Sequence, residues 1–474
     1  MKVLLVGNPR TVKGFNRLTK IPSLNLASLA ANVDEGLCEI KVADLVVKDR
    51  NPEKALLKVL RDFKPDVAGF TAMSFQYRKA LELARLTRSF SADIITFMGG
   101  YHVTADKENI LAGEEMNYID FLIDGEGEIP FNELLKSFVN GKDFSRVPGI
   151  AYLKDGAPIT TSRPDLISPA QLKIPKRSSR IFTKGFHIMG MPADVIETSR
   201  GCVYDCNFCS IRNMYGKSFR KFSLDRIMTD LEDAKRHGAR SIFITDDNIT
   251  LDGRRFLELS NEIVKARLNL TFAVQASVSG FKRTPGLAEA ISRAGTKFVF
   301  LGIENASDCA LEFMNKSNQL TSADTEKIVQ ELKKHNILIV GGFIFGYPDD
   351  NRQTLIENFE YAKKIGVDIQ LFNILTPHLK TELREELVGK NLVTNIDDYS
   401  RYNHYASNVR TNHLSSEELF RIRNWLDARF PVESRAIFRL FRAYPLFFSK
   451  LMFKMLWDEP ANWFNFTTGI LKKN

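Results

Sequence analysis

Residues 197–210 read Glu197-Thr-Ser-Arg-Gly-Cys202-Val-Tyr-Asp-Cys206-Asn-Phe-Cys209-Ser210, and three of the chain's five cysteines fall in that one stretch with Cys-x3-Cys-x2-Cys spacing. The other two, Cys38 and Cys309, are remote in sequence. An odd count with three thiols in one short loop does not make a disulfide framework. Three thiolates on one loop can hold three irons of a [4Fe–4S] cube, whose usual complement is four cysteines, so that one iron keeps an open coordination site. Zinc would want a fourth ligand close by, and none of the seven histidines lies within ten residues of the trio. Three buried structural thiols are the plain alternative.

The cysteines come directly after a strand-like run at 194–198, the first of a series. Further strand-like runs lie at 241–245, 271–275, 297–303, 337–345 and 368–373, separated by helical patterns at 223–236, 254–266, 284–293, 322–335 and 353–364. Six strand–helix repeats predict a parallel (β/α)6 barrel, open or closed, over 191–394, working at the C-terminal ends of its strands. Upstream, residues 1–140 alternate apolar runs (3–7, 39–43, 67–70, 94–98, 121–123) with amphipathic stretches. That rhythm predicts an α/β domain, a Rossmann-like doubly wound parallel sheet, with ligands beyond the C-terminal strand ends at the topological switch point. Residues 141–190, interrupted by Pro148, Pro158, Pro164, Pro169 and Pro175, read as a linker with a short hairpin, and 395–474 as a helical C-terminal region.

Composition agrees with an ordinary globular protein: 474 residues, 44% hydrophobic and 26% charged, which excludes collagen-like, disordered and disulfide-stapled classes. A net charge of +9 permits anionic partners without requiring them. The apolar run at 3–7 is too short for a signal peptide, and no run reaches the roughly eighteen apolar residues of a membrane span. A reducing cytoplasm is the expected compartment.

At the cysteine stretch the sequence resembles the radical S-adenosylmethionine (SAM) superfamily, whose signature is Cys-x3-Cys-x-aromatic-Cys, with Phe208 in the aromatic slot. Asp246-Asp247-Asn248 ends the second strand, Gln275-Ala-Ser277 the third and Gly302-Ile-Glu304 the fourth. Gly342-Phe-Ile344-Phe-Gly346 resembles the family's Gly-x-Ile-x-Gly strand. The resemblance implies that Cys202, Cys206 and Cys209 bind a [4Fe–4S] cluster. It implies that SAM chelates the open iron and yields a 5′-deoxyadenosyl radical on reductive cleavage. Phe208, Asp246, Gln275, Ser277, Glu304, Gly342, Ile344 and Gly346 would contact SAM. On their own chemistry, a carboxylate at 304 can accept hydrogen bonds from ribose hydroxyls, and glycines at 342 and 346 admit a flat base. A helix cap and a strand bend are the alternatives. One departure is Thr376-Pro-His-Leu-Lys-Thr381, where relatives carry Thr-Pro-x-Pro-Gly-Thr; it makes substrate analogy less safe.

Residues 1–140 look like the cobalamin-binding domain fused ahead of the barrel in one large branch of that superfamily. The resemblance rests on Gly99-Gly100-Tyr-His102-Val-Thr104, Asp124-Gly125-Glu126-Gly-Glu128 and Pro22-Ser-Leu-Asn-Leu26. It implies a cobalamin contacted by Asn8, Thr71, Ser74, Gly99, Gly100, His102, Thr104, Gly125 and Glu126. Classical cobalamin domains carry Asp-x-His-x-x-Gly after the first strand; here Gly7-Asn-Pro-Arg-Thr-Val12 has no histidine, so the lower axial face would be open. The alternatives are a domain that packs on the barrel and binds nothing, and His102 as a satisfied polar residue. A dinucleotide site is disfavoured, because no Gly-x-Gly-x-x-Gly follows the first strand.

Residues 434–457 carry Arg435, Arg439 and Arg442 on one helical face among Ile437, Phe438, Leu440 and Phe441; Pro445 interrupts them before Lys450 and Lys454. Such a helix can lie in a membrane interface or pack over the barrel. Nothing resembles a nucleic-acid recognition motif. The sequence therefore predicts a radical SAM enzyme with [4Fe–4S], SAM and cobalamin, which methylates an unactivated carbon of a small molecule, lipid or other hydrophobic substrate. A one-electron donor such as flavodoxin or ferredoxin would serve it, in the cytoplasm or peripherally at the membrane. Radical oxidation, cyclisation or rearrangement without methyl transfer is the second reading, and a non-catalytic iron–sulfur sensor the third.

Overall fold

The computed structural model describes residues 1–9, 18–316, 321–434 and 436–449. Its strands in chain order are β1 (Lys2–Gly7), β2 (Thr19–Lys20), β3 (Glu39–Asp44), β4 (Val67–Thr71), β5 (Ile95–Gly99), β6 (Phe121–Ile123), β7 (Ile150–Lys154), β8 (Ala157–Thr160), β9 (His187–Ile188), β10 (Met191–Ile196), β11 (Ser199–Arg200), β12 (Arg220–Lys221), β13 (Ser241–Ile244), β14 (Thr271–Ala276), β15 (Thr296–Glu304), β16 (Leu338–Phe345) and β17 (Ile369–Ile374).

The first sheet runs β3-β1-β4-β5-β6, all parallel. Consecutive β1 side chains enter different cores: Leu4 and Val6 join one apolar cluster, Val3 and Leu5 the other. A sheet buried on both faces reads as continuous apolar runs, which is why its strands were legible. Strand order reverses between β1 and β4, creating the switch-point crevice. The Pro-rich stretch beyond residue 140 contains the hairpin β7–β8, antiparallel to β6. Its two-residue loop, Asp155-Gly156, has φ of 53° and 80°, the left-handed pair a type I′ turn requires. The hairpin covers what would be an exposed β6 edge.

The second sheet runs β17-β16-β15-β14-β13-β10-β9-β2. Its six strands from β10 to β17 are parallel and in chain order, an open partial barrel with helices such as Leu224–Arg236, Gly253–Ala266 and Arg352–Ile365 outside. Helix Ser416–Glu433 closes one flank, with Phe430 edge-on to Phe359 and Phe372. Helix Ala436–Ala443 lies across the opposite end from the cysteines: Leu440, Tyr444, Phe447 and Phe448 pack with Met189, Ala193, Phe298 and Leu338 at the strand starts, and Arg439 pairs with buried Asp368 at 2.9 Å. Phe438, Phe441 and Leu446 of this segment face outward. The remainder of the expected amphipathic segment, Arg435 and 450–457, lies outside the described residues. Among the described residues no helix is long and apolar enough to cross a membrane.

Arg177, from the connection between the modules, is buried in the barrel wall. Its guanidinium meets Asp194 (3.0 Å), Asp230 (2.6 Å) and Asp233 (3.0 Å) and donates to the Val195 carbonyl (3.0 Å). Desolvation works against this charge, but Asp194 and Asp230 hold its pKa above the ordinary value. Removing one partner of a buried ion pair strands the others, at a cost of about 3–5 kcal/mol. Arg177→Ala is therefore expected to lower the midpoint of thermal unfolding by several degrees. A midpoint within about a degree of wild type would contradict a burial-dependent role.

Candidate active site

The cysteine loop is fixed at its root by one buried carboxylate. Asp246, just beyond β13, accepts from the Thr198 backbone N–H (2.6 Å), the Thr198 hydroxyl (2.5 Å) and the Ser199 hydroxyl (2.5 Å). Next to it, Asp247 accepts from the Gly201 N–H at 3.1 Å. Gly201 is a position only glycine suits: φ is +86° and a Cβ would sit 2.4 Å from the Ser218 carbonyl oxygen. From there Cys202, Cys206 and Cys209 open on one cavity of about 500 Å3 above the barrel strands. Among the described residues no three His, Cys, Asp or Glu side chains converge on a single-ion geometry. Thiols spread around one cavity fit a cube, which takes one thiolate per iron corner. Burial raises the pKa of Cys202 and Cys206 and pushes Cys209 up to about 12.

Phe208, Gln275, Ser277, Glu304 and Ile344 line the same cavity, and Asp246, Gly342 and Gly346 do not. Asp246 is turned into the loop's root, as described. A Cβ on Gly342 would meet the Phe300 ring at 2.7 Å, so this glycine admits Phe300, which is itself a lining residue. Gly346 lies past the end of β16, at φ +101°, and its N–H donates to Asp350 at 2.7 Å. Glu304 closes β15 at a register shift with φ +66° and is ion-paired with Lys316. Desolvation opposes the Lys316 charge, but Glu304 and Cys206 raise its pKa above the ordinary value.

Sequence reasoning missed the lining residues Lys316, Asn373, His404 and Tyr405, whereas Asp247 and His378 stood in quoted segments without being assigned to the site. Lys316 and His404 sit in stretches with no motif. Burial pushes the Asp247 pKa up to about 6. His378 lies in the departing Thr376–Thr381 segment, and its ring is 5.0 Å from that of His404.

A second cavity, of about 420 Å3, occupies the switch-point crevice of the first sheet. Asn8, Thr71, Gly99, Gly100, Gly125 and Glu126 line it, together with Asn25, Met73, Tyr101 and, from the barrel module, Arg200, Met214 and Tyr215. No histidine is among these described lining residues. Gly100, at φ +103°, would put a Cβ 2.8 Å from the Ala72 carbonyl oxygen. This glycine therefore lets the loops after β4 and β5 pack closely at the crevice's edge. Ser74, His102 and Thr104 do not reach the cavity. Thr104 instead accepts from the Gly125 N–H (2.9 Å) and so shapes the loop. His102 is fully buried, 3.3 Å from the Ser74 hydroxyl and against the Tyr77 and Tyr399 rings, with Nε2 lacking a hydrogen-bond partner.

A cysteine-lined partial barrel joined to a switch-point crevice defines a two-module radical SAM architecture. The Radical SAM superfamily model matches residues 196–386 and the B12 binding domain model residues 11–135. A relative from Pyrococcus horikoshii, described as the uncharacterized methyltransferase PH0819, is 30% identical over 426 residues, covering 89% of this chain and 90% of its own. The anaerobic magnesium-protoporphyrin IX monomethyl ester cyclase of Rubrivivax gelatinosus is 25% identical over 390 residues, covering 81% of this chain and 69% of its own. The solved structure of the radical SAM methyltransferase TsrM from Kitasatospora setae, with cobalamin and [4Fe–4S] cluster bound, has the same fold: TM-score 0.67, 19% identity, 82% of this chain and 78% of that one. The chain belongs to the cobalamin-dependent radical SAM methyltransferase family, whose cofactors are a [4Fe–4S] cluster, SAM and cobalamin.

Two outcomes follow from this geometry. Asp246→Ala removes no thiol, yet is expected to weaken iron retention about 10–100-fold, the usual effect of losing a partner that orients metal ligands; unchanged iron content under chelator challenge would contradict that role. Burial lowers the His102 pKa from 6.5 to about 3, so the unfolded chain binds the proton first. The stability this contributes is fully present above about pH 6.5 and lost as pH falls toward about 3. His102→Phe should make the fall in Tm across that window shallower; an identical slope would contradict it.

Proposed function

We propose that this chain methylates an unactivated carbon of a hydrophobic small molecule or lipid, using the two cavities in concert. The observation that carries the reading is their shared wall: in the helix Ile211–Tyr215 just after Cys209, Ile211 and Arg212 line the cysteine cavity while Met214 and Tyr215 line the crevice of the first module. When bound, the cofactors supply a 5′-deoxyadenosyl radical at the cluster and a methyl donor at cobalamin. Cys202, Cys206 and Cys209 would hold the cluster. Gln275, Ser277 and Glu304 would hold SAM's polar groups, with Phe208 and Ile344 against its flat parts. In the crevice, Asn8, Thr71, Gly99, Gly100 and Gly125 would hold cobalamin, while the Glu126 carboxylate is taken up by Arg200 and Arg220.

The protein's contribution is proximity and exclusion of water. Phe300, Leu371, Ile374 and Leu375 give the first cavity apolar walls, and Asn373, His378 and His404 are its polar points near the strand ends. Burial holds His378 and His404 neutral, at about 3 and about 4. Neutral rings beside apolar walls suit a largely apolar substrate with an uncharged hydrogen-bonding group. The outward Phe438, Phe441 and Leu446 near Arg442 support delivery of such a substrate from a membrane surface. A cytoplasmic one-electron donor of the flavodoxin or ferredoxin kind would complete the system.

The test is anaerobic incubation with methyl-deuterated SAM, hydroxocobalamin, reductant and a bacterial lipid extract. The expected result is a deuteromethylated lipid, with 5′-deoxyadenosine and S-adenosylhomocysteine accumulating together. 5′-Deoxyadenosine alone, with an unmethylated product, would favour radical oxidation or cyclisation; the similarity to the cyclase gives that second reading its support. Replacing Phe438, Phe441 and Leu446 with Ser is expected to reduce flotation with anionic vesicles, and unchanged flotation would remove the membrane element.

A further inference from the structure

The proposed cofactor sites meet at a buried ion cluster that neither site's chemistry requires. Arg200, two residues before Cys202, gives its Nε and one Nη2 hydrogen bond to Glu197 (2.8 and 2.9 Å), Nη1 to Glu126 (2.8 Å) and a second Nη2 bond to Glu128 (2.7 Å). Arg220, paired with Arg200 in the β11–β12 ribbon, grips Glu126 as well, at 2.8 and 3.1 Å. Ser28 donates to Glu128 at 2.7 Å. Glu126 and Glu128 belong to the Gly125–Glu128 loop that edges the first module's crevice, and Arg200 lines that crevice too.

The placement has a consequence for both loops. Chain flanking the three cysteines enters the crevice on both sides, through Arg200 before them and through Met214 and Tyr215 after them. Tyr215 also meets Tyr101 of the first module edge-on, at 6.4 Å between ring centroids. Neither loop can shift without moving carboxylates or guanidiniums that are almost wholly buried, and an unpaired buried charge is costly. Displacing either loop alone would therefore leave buried charge unpaired.

We propose that Arg200 is a positioning residue that couples the two sites, so that loading the cysteine loop tightens cobalamin binding and cobalamin in turn tightens the cluster. The proposal rests on the cofactor placement given under Proposed function. Linkage makes the effect equal in both directions, and couplings of this kind are about fivefold or more in affinity.

The test titrates hydroxocobalamin anaerobically into the full chain, without and with the reconstituted cluster, and compares the two dissociation constants. For wild type the ratio is expected to be about fivefold or more. In Glu126→Gln and in Arg200→Lys it should fall close to one while the iron–sulfur absorbance persists. A wild-type ratio near one overturns the proposal. A variant that binds more weakly in both forms but keeps the wild-type ratio also overturns it, because that is the behaviour of a mere brace. Should Arg200→Lys fail to fold, the wild-type ratio and Glu126→Gln still decide. Absence of any cobalamin binding by wild type overturns the underlying placement, and the proposal with it.

Discussion

A buried carboxylate at the end of β13 is the constraint on which the site depends. Asp246 takes hydrogen bonds from a backbone N–H and two hydroxyls at the root of the cysteine loop. A loop carrying three thiols has no regular hydrogen-bond ladder of its own. Its geometry must be imposed from outside, and here it is imposed by the neighbouring strand. Burial raises the Asp246 pKa despite those partners, so the carboxylate's oxygens are costly to leave unmatched. The root is thereby held by the neighbouring strand, and the three thiols open from it on one cavity.

The same economy explains how two modules share one active centre. Parallel sheets leave their functional edges at the C-terminal strand ends, and the two sheets present those edges to each other. The connecting chain is locked by Arg177 into the barrel wall and by β7–β8 onto the first sheet. Lys380 reaches Glu108 from the segment after β17, adding an exposed contact that contributes little by itself. The buried Arg200 cluster makes the strong connection.

Much of this was legible in the sequence. Strand runs buried on both faces announced both sheets, and the cysteine spacing announced one loop whose three thiols open on a single cavity. The Asp155-Gly156 turn was a readable signal inside a stretch whose prolines suggested a linker; its pairing with β6 was not readable, because pairing is a tertiary choice. His102 stood beside a diagnostic double glycine, yet Tyr399, nearly three hundred residues away, closes over it. Asp246 was placed at the right strand end, but its direction depended on Thr198 and Ser199. Lys316, His404 and the partners of Arg200 carried no local pattern, since long-range ion pairs leave none.

The central claim is that one chain binds both a cluster and a cobalamin, one in each module. It is tested most directly by anaerobic reconstitution of the full chain with iron, sulfide and hydroxocobalamin, followed by metal analysis after gel filtration. The account predicts about four irons per chain, as a single cube requires, with cobalt retained in equal amount to the chain, and loss of the iron but not the fold when Cys202, Cys206 and Cys209 are replaced with Ala. Iron without retained cobalt, or iron content indifferent to those cysteines, would contradict it.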